Sequence, residues 1–382
     1  MKRLAKISFV LLMLLPACIS QAVEETPNSF VEGTQVGSEA VTVSSPIVEE
    51  IETSPSFTDQ LSDILNRCKS REMSLSPNGE HMVILCEEKK LWAFDIRTDT
   101  IEPAADIELP MFVFRFKWSK DSSALALSTR EGVHFFSPAE KKLTGYLESK
   151  HWFPVDIAWS ADNDSIAISV PGGSLFSPTE AFVKILSYPE LEVLKEINYP
   201  GETPNGTFSI LWNGELENSV FFLTAGKLKY LNESGIRNLD FPILAPDFLS
   251  YMGWLSNNRY YVTGIAFEPQ AIEDKIGIFE GAEKIVEFTI KDPMDESRYI
   301  NILDIQASRN GRELIALLSN GNIVVYLVGN DNIGSVLELE KRSINSSSKI
   351  CLLEAQNALV LMFGDGNFEI IPFDVNLLNG EL

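Results

Sequence analysis

A four-residue phrase, Trp118-Ser119-Lys120-Asp121, returns as Trp159-Ser160-Ala161-Asp162. Each copy is followed at the same offset by an aliphatic triplet, Leu125-Ala126-Leu127 or Ile166-Ala167-Ile168. Self-similarity at a fixed period constrains a fold more than composition does, because each repeat must be a unit that its neighbours complete. Five further units fit the same offset, turning at Ser76-Pro77-Asn78-Gly79, Trp212-Asn213-Gly214, Trp254-Leu255-Ser256-Asn257, Ser308-Arg309-Asn310-Gly311 and Glu354-Ala355-Gln356-Asn357. Successive turn positions 76, 119, 160, 213, 255, 308 and 355 are separated by 43, 41, 53, 42, 53 and 47 residues. Such spacing holds four short strands and their turns.

One four-stranded sheet cannot bury either face alone, and radial stacking leaves only short, protected edges. The chain is therefore expected to be all-β, a seven-bladed β-propeller of four-stranded antiparallel blades over residues 71–382. Ser76, Ser119, Ser160 and Ser308 are assigned to the blade turns, and Trp118, Trp159, Trp212 and Trp254 to packing between neighbouring sheets. The Ser-Pro-Asn-Gly and Trp-Ser-x-Asp turns, each with an aliphatic strand at constant offset, resemble WD40-like propeller repeats of the kind found in the C-terminal domain of bacterial TolB. The resemblance covers residues 72 to about 374 and is strongest in units one to three and six. It implies a fold and no more, since the α/β domain that precedes the TolB propeller has no counterpart here. The Gly-and-Trp repeat of the BamB type of propeller is not matched.

The N-terminus reads differently. Met1-Lys2-Arg3 to Lys6 is basic and Ile7 to Leu15 is an apolar run too short to span a bilayer, the proportions of a secretory signal over residues 1–22. Two exits compete: Ser20-Gln21-Ala22 offers a signal-peptidase site, and Leu15-Pro16-Ala17-Cys18 resembles a lipobox, in which Cys18 would be acylated. Residues 23–56 carry seven Glu, no Lys or Arg, and many Ser, Thr, Pro and Gly. They read as a disordered acidic tether. Over 57–70, Phe57, Leu61, Ile64 and Leu65 share a helical face with Ser56 as N-cap, so a short helix and lead-in are expected before the propeller.

The net charge of −23 disfavours nucleic acid and anionic lipid surfaces, and loss of Lys2, Arg3 and Lys6 with a signal peptide would make it more negative still. Membrane attachment is expected only through a lipid on Cys18. In an oxidising compartment Cys68, Cys86 and Cys351 allow one disulfide. Cys68–Cys86, close in sequence and flanking the first repeat, is favoured over Cys68–Cys351.

No catalytic residue, metal ligand or cofactor site is assigned. His81, His134 and His151 lack local metal-ligand spacing, and no nucleophile elbow, zinc-protease, phosphate-loop or dinucleotide motif occurs. Asp162-Asn163-Asp164 and Gly364-Asp365-Gly366-Asn367 are acidic but coincide with hairpin turns. Phe112-Val113-Phe114-Arg115-Phe116-Lys117-Trp118 reads as an innermost strand with its aromatics on one side and its cations towards the next layer. The longer connections at 171–178 and 267–274 are the stronger candidates for a binding rim. The expectation is an exported, monomeric, non-enzymatic interaction scaffold at a bacterial envelope, in the periplasm or on the outer membrane, or else secreted, presenting one rim to another protein. The alternatives are a propeller hydrolase or lactonase with an axial metal, and a glycan-binding envelope protein.

Overall fold

A computed structural model describes residues 55–373 except 87–88, 98–99, 110–112, 150–153, 155, 171–180, 200–208, 214–218, 225–226, 233–234, 243–250, 257–258, 269–270, 291–299, 330–332, 340–341 and 346. Residues 1–54, which include Cys18, the signal-like segment and nearly all of the tether, lie outside the described residues, as do His151 and the connection at 171–180.

Helix α1 (Phe57–Cys68) opens the fold. Ser56 caps it, its hydroxyl accepting from the Asp59 N–H while the Asp59 carboxylate accepts from the Ser56 backbone, and Phe57, Leu61, Ile64, Leu65 and Cys68 form the buried face. Seven sheets follow, each built of strands in chain order. The first is β1 (Ser70–Leu75), β2 (His81–Cys86), β3 (Lys90–Ile96) and β4 (Ile101–Glu108), and the second β5 (Val113–Trp118), β6 (Leu125–Thr129), β7 (Gly132–Ser137) and β8 (Lys142–Glu148). The third is β9 (Asp156–Trp159), β10 (Ser165–Val170), β11 (Ala181–Ser187) and β12 (Val193–Tyr199), and the fourth β13 (Ile210–Asn213), β14 (Ser219–Thr224), β15 (Lys227–Asn232) and β16 (Gly235–Pro242). The fifth is β17 (Met252–Ser256), β18 (Arg259–Glu268), β19 (Ala271–Glu280) and β20 (Glu283–Thr289), and the sixth β21 (Ile302–Ala307), β22 (Glu313–Leu318), β23 (Ile323–Val328) and β24 (Ile333–Leu339). The seventh shows three strands among the described residues, β25 (Lys349–Leu353), β26 (Ala358–Met362) and β27 (Phe368–Pro372).

The core lies in the seams between blades. Ala126, Phe135, Trp159 and Ile168 join blades two and three; Ala158, Val183, Trp212 and Phe222 join three and four. Trp118 and Trp254 pack, partly buried, in the seams between blades one and two and between four and five. The blade five to six and six to seven seams are equally apolar. The last seam closes the ring: Met73, Met82 and Ile84 of blade one meet Cys351, Leu353 and Val360 of blade seven, with Leu61, Ile64 and Leu65 of α1 in the same cluster. Cys68 at the end of α1 is disulfide-bonded to Cys86 at the end of β2, and Cys351 is a free, buried thiol. The Gln60 side chain also accepts from the Ile101 N–H at 3.0 Å, tying α1 to β4.

The repeated turn has a local explanation. The serine that opens it is buried, and its hydroxyl donates to the Asp or Asn two residues on and accepts from the N–H five residues on. These distances are 2.7 and 2.9 Å for Ser76 and for Ser119, 2.5 and 3.0 Å for Ser160, and 2.8 and 3.1 Å for Ser308. The residue three after the serine, Gly79, Ser122, Asn163 or Gly311, has φ of 75°, 65°, 64° or 70°. That left-handed backbone suits glycine best and asparagine next among ordinary residues, and three of these four positions carry one of the two, Ser122 being the exception. Neighbouring turns are also linked. The Asn78 N–H donates to Ser122 Oγ, Lys120 N–H to Asn163 Oδ1, and Arg309 N–H to Glu354 Oε1.

Candidate functional site

The innermost strands deliver one residue each to a common level of the axis. Glu72, Arg115, Asp156 and Asp304 stand four residues before Ser76, Ser119, Ser160 and Ser308, and they pair with Leu85, Ser128, Ser169 and Leu317 on the second strands. In β1, β5 and β21 the register slips by one residue just before the charged side chain. A bulge of this kind re-aims the residue that follows it. Tyr251 holds the same place in blade five, where its N–H donates to Thr263 Oγ1 at 2.8 Å, and Lys349 begins β25. Read around the ring from blade seven, the level runs Lys349, Glu72, Arg115, Asp156, Ser209, Tyr251 and Asp304, so that cation and anion alternate from blade seven to blade three and blades four and five supply neutral side chains.

Some of these groups are fully used in holding blades together. Asp156 is buried, and its carboxylate accepts from Ile157 N–H at 3.0 Å, Ile210 N–H at 3.1 Å and Ser209 Oγ at 3.2 Å. Asp304 Oδ2 accepts from Ile350 N–H at 3.0 Å, and Asp274 of β19 accepts from Ile302 N–H at 2.7 Å. Gln306 reaches to β25 with both ends of its amide, donating to Ile350 O at 2.7 Å and accepting from Leu352 N–H at 3.0 Å. These side chains satisfy the inward edge of the next blade, which would otherwise face the channel unpaired.

The remainder border a chamber of about 620 Å³ that runs from the level of Glu72 and Arg115 to the turns at Ser76, Ser308 and Glu354. Blades one, two, five, six and seven line it. Two contacts from blade two to blade five cross the axis. Arg115 lies 6.0 Å from the centre of the Tyr251 ring, and Lys120 lies 5.2 Å from that of Trp254. Lys349 Nζ donates to the Tyr251 hydroxyl at 3.2 Å, stands 3.8 Å from Asp304 Oδ1 and is 5.2 Å from the Tyr251 ring centre, while the Tyr251 hydroxyl donates to Leu303 O.

Three groups are left with unused hydrogen-bonding capacity. Among the described residues the carboxylate of Glu72 makes no hydrogen bond, nor does the ammonium of Lys117, and the guanidinium of Arg115 makes only a 3.4 Å contact to the carbonyl of its neighbour Phe114. Burial pushes the Glu72 carboxyl up, outweighing the attraction of Lys349 and Arg115. For Arg115 and Lys349 burial works against the charge, but Glu72 and Asp156 around the first and Asp304 and Tyr251 around the second prevail and raise both. Cys351, at the chamber wall, is pushed up to about 12 by burial and is an unreactive thiol.

The sequence-assigned turn residues and tryptophans sit at the edge of this chamber or behind it. Ser76, Ser308 and Trp254 touch it, whereas Trp159 and Trp212 are buried in the seams and Ser119 and Ser160 in their turns. The expectation that Arg115 and Lys117 turn towards the next layer is corrected: both line the axial chamber, because the bulge at Phe114 shifts the strand register by one. Glu72, Tyr251, Asp304 and Lys349 attract no notice singly. The signal of the first three is a column, visible when the units are stacked on the turn position and the residue four places before it is read down the repeats, whereas Lys349 stands outside that column, six places before position 355. His81 hydrogen-bonds Asp95 at 3.0 Å, and His134 is buried and stacked on Tyr146, its Nε2 unpaired among the described residues.

The ring of seven antiparallel sheets about a polar axis defines a closed β-propeller, and its structural neighbours include WD40-type propellers. One is a chain of Kuenenia stuttgartiensis hydrazine synthase, with a TM-score of 0.60 at 12% identity over 81% of this chain and 96% of that one. The Myceliophteria thermophila Cps50 (Swd1) β-propeller domain superposes with a TM-score of 0.60 at 11% identity, over 79% and 95% of the two chains. The RRP9 WD40 repeats give 0.56 at 8% identity, over 76% and 85%. At such identities the likeness is one of fold, and it does not tie the chain to the TolB propeller in particular. No protein-family model and no curated protein matches the sequence.

Proposed function

We propose that this propeller is a non-enzymatic scaffold that presents one rim to a protein partner, and that it works outside the cytoplasm, at a bacterial envelope. The observation that carries the interaction reading is the hairpin of β18 and β19. These strands pair over ten positions, from Arg259↔Glu280 to Glu268↔Ala271, whereas β17 reaches only to Val262 and β20 only to Lys275. Residues 264–268 and 271–273 therefore form a ribbon that continues past the blade. This ribbon joins the second strand of blade five to the third, so it belongs to the face opposite the blade turns. Extra length confined to one face of a rigid ring is how repeat scaffolds build a binding rim. WD40-type neighbours support the reading, one of them a chain in the crystal structure of a mitotic checkpoint complex.

Export is supported by the Cys68–Cys86 disulfide, since such bonds persist in oxidising compartments, and by the signal-like residues 1–22. Cys18 would then carry a lipid and 23–56 would hold the propeller away from the membrane. A metal enzyme is the weaker reading. At the axis Glu72 and Asp304 are interleaved with Arg115 and Lys349, which repel a cation, and among the described residues no three His, Cys, Asp or Glu side chains gather to hold one.

The test is affinity purification from native membranes of the full chain and of a variant whose 264–273 ribbon is replaced by a two-residue turn. The same partner should accompany the first and be lost from the second. Equal recovery with both would sink the rim assignment. Intact mass of the purified chain should begin at an acylated Cys18, and an unmodified start at Val23 would remove the anchor.

A further inference from the structure

The axial chamber stands apart from the proposed rim, and its chemistry is unlike that of the rest of the molecule. Four cations (Arg115, Lys117, Lys349 and, at the turns, Arg309) face three carboxylates (Glu72, Asp304 and, at the turns, Glu354) in a chain whose net charge is −23. A cluster kept only to join blades would be expected to satisfy its own members. Asp156 and Gln306 do so. Arg115, Lys117 and Glu72 do not: a guanidinium with five donors spends one, weakly, on the adjacent carbonyl, and the carboxylate and ammonium spend none among the described residues.

We propose that this chamber is a binding site for a small zwitterion, a free carboxylate joined to a protonated amine, as in an amino acid or a short peptide with free ends. The carboxylate takes the fork of Arg115 and the ammonium of Lys117, and the amine takes Glu72. The aromatic walls of Tyr251 and Trp254 contact the body of the ligand. The presence of both signs of charge in one chamber selects this class. A phosphate dianion would lie beside Glu72 and Asp304, a metal cation beside Arg115 and Lys349, and a neutral sugar would leave both kinds of charge unanswered. A volume of about 620 Å³ suits a ligand of a few residues.

Isothermal titration of the purified full-length protein with glycine, alanine and tri-alanine, and with tri-alanine amidated at its C-terminus or acetylated at its N-terminus, tests the proposal. At least one ligand with free ends should bind, amidation should weaken it at least tenfold, and acetylation should weaken it in wild type but not in Glu72→Gln. Arg115→Gln and Lys117→Gln should each lose tenfold or more. Lys117 is partly exposed and its ammonium makes no hydrogen bond among the described residues, so its replacement decides the matter if Arg115→Gln fails to fold. Binding of the single amino acids as tightly as the tripeptide identifies an amino-acid site, and tighter tripeptide binding a peptide site. The proposal is overturned if no ligand with free ends binds, if the amidated peptide binds equally well, or if Lys117→Gln binds as wild type does. None of these results bears on the rim, which the ribbon deletion tests separately.

Discussion

Ser119 shows how one hydroxyl shapes a repeat. It is fully buried, donates to Asp121 and accepts from Ala124 N–H, and the turn closes on those two bonds. Ser119→Ala should leave a buried N–H unsatisfied and cost about 1–3 kcal/mol, read as a lower urea midpoint, while a surface change such as Lys142→Ala should be near neutral. The acid in the turn adds a pH dependence. Asp162 is held below its ordinary value of 3.8 first by the Ser160 hydroxyl and then, against a smaller opposing effect of burial, by the Asp164 N–H. A carboxylate whose folded value is depressed contributes stability in full above its unfolded value, and that contribution disappears as pH falls through the folded one. Wild type should therefore lose more stability than Asp162→Asn on titration to below pH 3.8, and parallel pH profiles would contradict this. The residue pattern Ser-x-Asp/Asn was legible in the sequence because all its bonds fall within five residues of chain.

At the scale of elements, α1 is the part that least resembles the rest. Its apolar stripe and Ser56 cap are readable from spacing alone, but its place is not. It packs in the seam where the last blade meets the first, and the Cys68–Cys86 bond fixes it to β2 across a separation of 18 residues. Replacing both cysteines by serine should lower stability by about 3 kcal/mol and raise hydrogen exchange in residues 57–68 above that in β2 and β3. Unchanged protection of the helix would mean that Leu61 and Leu65 suffice to hold it. The ribbon of β18 and β19 is a comparable case. The added length at 267–274 is evident in the repeat spacing, yet only the pairing shows it to be a continuation of two strands.

For the whole molecule, closure is the central fact. Each seam has its own apolar cluster, including the one between blades seven and one, so no sheet presents a bare face. A ring of this kind should respond to local damage as one body. Gln306→Leu removes the two hydrogen bonds that its amide makes to the β25 edge, and calorimetry should show the entire transition shifted down without a separate early melt of blade seven. An early transition confined to that blade would mean that the seams act independently, as in an open stack.

The architecture was contained in the chain itself: turn chemistry that needs only neighbouring residues, repeated seven times at the length of four strands, permits little besides a ring. What the ring encloses was decided elsewhere. Glu72 and Lys349 stand 277 residues apart and become neighbours only because the last blade meets the first, and three single-residue bulges, which no local pattern announces, aim Glu72, Arg115 and Asp304 at the axis. Local hydrogen bonds are fixed by sequence neighbours, whereas the field inside a channel is set by whichever charges the closed backbone brings together.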